Sequence, residues 1–88
     1  SLLLMKWWIV AFIVNLEGEF GHIQYLHEFA TRYSCVSYYK QNTPELMQGL
    51  QSKLVQDNDK WVIQNVACLP SNIVNELDKK TRNKHDSI

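Results

Sequence analysis

Eight consecutive apolar residues, Trp7-Trp8-Ile9-Val10-Ala11-Phe12-Ile13-Val14, stand near the start of the chain and stop abruptly at Asn15-Leu16-Glu17-Gly18. A strand with one wet face alternates, so this run predicts a strand over residues 7–14 that is buried on both faces. The next apolar positions, Phe20, Ile23, Leu26, Ala30 and Tyr33, recur at near-helical spacing with Gln24, Glu28 and Arg32 between them. That spacing predicts a helix over 19–32, with Glu19 in its first turn and Arg32 in its last complementing the helix dipole. Residues 34–41 are β-branched and aromatic with partial alternation, Val36, Tyr38 and Lys40 against Cys35, Ser37 and Tyr39. They read as a second, half-exposed strand.

Gln41-Asn42-Thr43-Pro44-Glu45 marks the clearest boundary. Thr43 is placed to cap a helix, Pro44 suits its first position and Glu45 its dipole. Leu46, Met47, Leu50 and Leu54 then form one stripe and Gln48, Gln51, Ser52 and Gln56 the other. Asp57-Asn58-Asp59-Lys60 is turn chemistry, and residues 61–69 form a third strand closed by Pro70. Ser71 caps a last helix through Ile73, Val74 and Leu77, which turns polar after Asp78 and frays over 83–88.

The order β-α-β-α-β-α predicts an α+β or α/β domain over residues 1–88. Its architecture is a two-layer sandwich of about three strands with helices on one face, compatible with a ferredoxin-like arrangement. The other sheet face is apolar along the first strand and needs a cover. A second copy of the chain is the simplest one, so a homo-oligomer through the sheet is expected.

An 88-residue chain buries roughly 60–65% of its unfolded surface, which makes an added subunit a natural source of stability. Nine basic residues balance nine acidic ones, so no overall field steers the molecule toward nucleic acid or anionic lipid. Cys35 and Cys68 each sit in an apolar segment outside any C-x-x-C pair. Buried reduced thiols, and with them a cytoplasmic location, are the expectation, although a disulfide is geometrically possible if the two segments are neighbours. Lys6 followed by an apolar stretch resembles a signal peptide, yet no small-x-small site follows Val14 and the stretch is too short to span a bilayer. No membrane role is expected. Met5 could equally be the natural start, leaving Ser1 to Leu4 as a leader.

Few side chains suggest chemistry. His22 and His27 are five apart, about 140° around a helix, and do not converge on one metal as an i, i+4 pair would. His85 lies in the polar tail, beside the basic stretch Lys79-Lys80-Thr81-Arg82-Asn83-Lys84, and both read as solvated. Glu17 and Glu19 follow a buried strand, where catalytic groups are often carried, but first-turn acids more commonly serve the helix dipole. Tyr38, Tyr39, Trp61 and the pair Trp7 and Trp8 could form a stacking platform for single-stranded nucleic acid; with no net positive charge and only Lys6, Lys40 and Lys60 interleaved, core and interface packing is the favoured reading. Asp57-Asn58-Asp59 lacks the glycine and distal glutamate of a calcium loop.

Two stretches, Tyr38-Tyr39-Lys40-Gln41-Asn42-Thr43-Pro44-Glu45-Leu46 and residues 54–63 with Asp57-Asn58-Asp59-Lys60-Trp61 at their centre, carry a resemblance of about a third of the chain to one family. They resemble the second half of free-standing relatives of the small CRISPR-associated, ferredoxin-like nucleases. The resemblance implies a ferredoxin-like fold and metal-dependent hydrolysis assigned to an aspartate at the end of the first strand. Asn15 stands at that position, and a neutral amide is a poor ligand for a hard divalent cation.

The sequence therefore assigns no catalytic, cofactor-binding or metal residue and no cofactor. It favours a small self-associating non-catalytic accessory or interaction protein. The alternatives are a metal-dependent nuclease or hydrolase using Glu17 or Glu19 near Asn15, and a single-stranded nucleic-acid binder.

Overall fold

A computed structural model describes residues 5–56, 60–80 and 84–88, with 84–86 described by their backbone alone. The apolar run forms β1 (Trp7–Asn15), as its composition requires. Residues 16–19 then turn the chain into β2 (Phe20–Phe29), with the Asn15 N–H donating to the Glu19 carbonyl to close a three-residue loop, 16–18. Gly18 adopts φ +80°, the left-handed conformation such a loop needs, and its N–H bonds the Asn15 carbonyl at 3.1 Å. The helix expected over 19–32 is thus a strand. Its near-threefold apolar spacing dissolves into two faces, with Ile23, Tyr25 and Phe29 in the core and Leu26 exposed.

Helix α1 spans Arg32–Gln56 and replaces both the strand expected over 34–41 and the helix expected after Thr43. It starts at a reciprocal cap, in which Thr31 Oγ1 accepts the Ser34 N–H and Ser34 Oγ accepts the Thr31 N–H. Pro44 stands inside it, and the backbone leaves the helical region at Asn42 (φ −123°, ψ 19°). Carbonyls near the break are served by side chains: Asn42 Nδ2 donates to the Tyr38 carbonyl at 2.9 Å and Thr43 Oγ1 to that of Tyr39. Thr43 therefore bonds backwards into the preceding turn. The expected start signal is a kink within a longer helix.

β3 (Trp61–Pro70) and α2 (Ser71–Lys80) follow as the pattern predicts. The expected frayed end instead contains β4 (Lys84–Ser87). The sheet order is β3-β1-β2-β4, with β1 antiparallel to both neighbours and β4 parallel to β2. The observed order β-β-α-β-α-β corrects the expected alternation, and a ferredoxin-like arrangement is not confirmed.

Both helices bridge parallel strands, and this decides where they lie. The β2-α1-β3 connection crosses the sheet over β1, and β3-α2-β4 travels back over β1 and β2. Two crossovers of the same hand running in opposite directions must lie on opposite faces. Ile9, Ala11 and Ile13 accordingly pack with Cys35, Leu50 and Leu54 of α1. On the alternate positions, Trp8 Nε1 donates to Ser71 Oγ at 2.8 Å, and Asp78 of α2 meets His22, the cross-strand partner of Phe12. The expectation of helices on one face is corrected to one helix on each.

Cys35 and Cys68 are joined in a disulfide that ties α1 to β3. This overturns the expectation of reduced thiols, and the argument for a cytoplasmic location loses its support with it. Among the described residues no helix is long and apolar enough to cross a membrane.

Candidate interaction surface

Of the acidic residues that follow β1, Glu19 is engaged by the hairpin through its carboxylate and Glu17 through its backbone N–H. Asn15 Oδ1 accepts the N–H groups of Glu17 (3.0 Å) and Glu19 (2.9 Å), while its Nδ2 donates to Glu19 Oε1 at 2.9 Å. An asparagine here does what an aspartate could not, because it donates to a carboxylate while accepting from the backbone. Its role is to hold the turn. Among the described residues no three His, Cys, Asp or Glu side chains come together to hold a metal.

His22 and His27 lie on β2 and not on a helix, and His22 is buried where a surface or partly packed histidine is the ordinary case. His22 is 1% exposed, with Nε2 2.8 Å from Asp78 Oδ1. His27 stacks on Phe29 at 4.4 Å and meets Tyr38 edge-on at 4.8 Å. The side chain of His85 lies outside the described residues, as do Asp57, Asn58, Asp59 and the middle of the basic stretch. Its visible start, Lys79 and Lys80, ends α2 in solvent.

The candidate aromatic platform is divided. Trp7, Trp61, Tyr38 and Tyr39 pack against the core on the α1 side, while Trp8 is pinned to Ser71 on the other. Tyr25 is 8% exposed and donates its hydroxyl to the Leu46 carbonyl. Burial, with Tyr39 adding to it, pushes its phenol up to about 12.

The surface with an unmet need lies on the α2 side of the sheet. Val14 is paired with Phe20 on β2 and with Val62 on β3, so the three side chains form one cross-strand row. Phe20 and Val62 are each 58% exposed, and Leu16 at the adjoining hairpin tip is 82% exposed. Helix α2 reaches the preceding row through Asp78 and His22 and ends there. The sequence pointed to an uncovered apolar face but not to these residues. Phe20 was absorbed into a supposed helix, and Val62 into a strand whose faces could not be phased without its partner. No family model, curated protein or solved structure matches the chain.

Proposed function

We propose that the chain is a small non-catalytic interaction protein that self-associates through the α2 side of its sheet. The observation that supports this reading is the open apolar row Phe20–Val14–Val62 with Leu16 beside it. Covering it would remove roughly 300 Å² of apolar surface per copy, worth roughly 15 kcal/mol for two copies at ~25 cal/mol per Å². Association costs of about 4–15 kcal/mol leave a margin suited to a reversible dimer. A hydrolase at Glu17 or Glu19 has less support, since Asn15 and Glu19 are spent on the turn.

Sedimentation of the wild type across micromolar concentrations, beside Val62→Lys and Phe20→Ser, tests the reading. The wild type is expected to rise above its monomer mass of 10.3 kDa with concentration. Both variants are expected to stay monomeric with an unchanged circular dichroism spectrum. A wild type that remains monomeric throughout overturns the proposal.

A further inference from the structure

The two edges of the sheet are not alike. β2 is covered along part of its length by β4, whereas β3 has no strand on its outer side among the described residues. Three observations phase its backbone. The Ser71 N–H donates inward to the Lys6 carbonyl at 2.9 Å, so residues 65, 67 and 69 turn their backbone groups to β1 and residues 66, 68 and 70 turn theirs outward. The Val66 N–H accordingly has no ladder partner and is held by the side-chain oxygen of Asn65 at 2.9 Å. Pro70, which has no N–H to give, occupies the next outward position but one. Cys68 therefore presents its N–H and carbonyl, and Val66 its carbonyl, at an open edge.

A cleft of about 270 Å³ opens beside these two residues. It runs from the edge of β3 under α1 to Ile9, between Val36 and Tyr39 of the helix and Val66 and Cys68 of the strand, with Arg32 also in its lining. The disulfide holds helix and strand together at this place. Arg32 is exposed, lies one turn before Cys35, and makes no ion pair among the described residues.

We propose that this cleft binds an extended peptide segment by strand addition to Val66 and Cys68, seating one apolar side chain against Val36 and Tyr39 and a carboxylate on Arg32. Each part answers to one property of the segment: an open edge to its backbone, an apolar slot to its side chain, and a guanidinium to its acid. A second whole edge is the poorer fit. The β1–β3 register slips between Phe12 and Ile13, and the resulting bulge bends the edge just before Val66, while Pro70 ends it just after Cys68. The open stretch suits a short peptide. The inference does not rest on self-association, which uses a different surface.

The test is an NMR titration of isotope-labelled protein with the peptide acetyl-Thr-Val-Ile-Val-Asp to about 5 mM, where even millimolar affinity is visible. Saturable shifts are expected at the amides of Val66 and Cys68 and along α1 from Arg32 to Tyr39. N-methylation of the central peptide residues should abolish them, a control that leaves the protein untouched. Arg32→Ala should weaken binding about fivefold, and amidating the peptide's carboxylates should then cost nothing further. The absence of saturable shifts, shifts elsewhere on the sheet, or binding indifferent to N-methylation overturns the proposal. So do edge shifts that follow protein concentration without peptide, which would mean that a second copy takes the edge.

Discussion

The two faces of the sheet start from equal demands and are answered unequally. β1 is apolar on both, with Ile9 and Ile13 on one side and Val10 on the other all within 1% of complete burial. The α1 face is covered by a 25-residue helix carrying Cys35, Leu50 and Leu54 into the core and bonded covalently to β3. The α2 face receives a 10-residue helix whose fully buried side chain is Val74 and whose anchors are polar, Trp8 to Ser71 and His22 to Asp78. A 10-residue helix is about 15 Å long, against about 30 Å for the strands it crosses. What length leaves uncovered is the row ending in Phe20 and Val62. One face is therefore the core of the domain and the other a partial lid with a free margin.

The largest expected effect tests the covalent side of that contrast. The bond between Cys35 and Cys68 spans 33 residues, and removing such a constraint costs about 3–4 kcal/mol on the chain-entropy account. Reduction, or Cys68→Ser, should lower the thermal midpoint by on the order of 15 °C. An unchanged midpoint would show that α1 holds its face by packing alone. The inequality between the faces is read most directly by truncating one core residue on each. Leu50→Ala should cost about 3 kcal/mol and Val74→Ala about 1.5 kcal/mol in denaturant melts. Equal costs would remove the distinction.

Smaller effects sharpen the contrast. Asp78→Ala should cost about 1 kcal/mol by removing the hydrogen bond that aligns α2 with His22. On the α1 face, Tyr25 titrates near 12 when folded and near 10 when unfolded. A raised folded value means that its contribution is complete below pH 10 and is lost as the pH climbs through 12. Tyr25→Phe should therefore lose less stability than the wild type, by on the order of 1 kcal/mol, between pH 10 and 12. The smallest effect is at the kink: Thr43→Ala should shift stability by only about 0.5 kcal/mol, because its hydroxyl returns to the Tyr39 carbonyl and caps nothing.

What the sequence alone determined is every element whose pattern has a single reading. β1 is apolar throughout, β3 lies between turn residues and a proline, and α2 begins at Ser71 after Pro70; each forms where expected. Asn15-Leu16-Glu17-Gly18 also contained a hairpin signal, since a three-residue loop needs a left-handed residue and Gly18 supplies it. Residues 20–41 were ambiguous because apolar positions three apart satisfy a helix and, with one slip, a strand. Here β1 decided between them: two apolar faces flanked by open backbone need a neighbour on each side, and the adjacent segment is the first able to pair. Once β2 exists, the chain must cross the sheet to reach β3, and residues 32–56 become the crossover helix. Only the tertiary structure could place the helices on opposite faces, because handedness acts on a connection and not on a residue. It alone brought Cys35 to Cys68, opened the cleft between α1 and the edge of β3, and left Phe20 beside Val14 and Val62 beyond the end of α2. Those outcomes depend on which strand lies next to which, and a local pattern carries no information about neighbours in space.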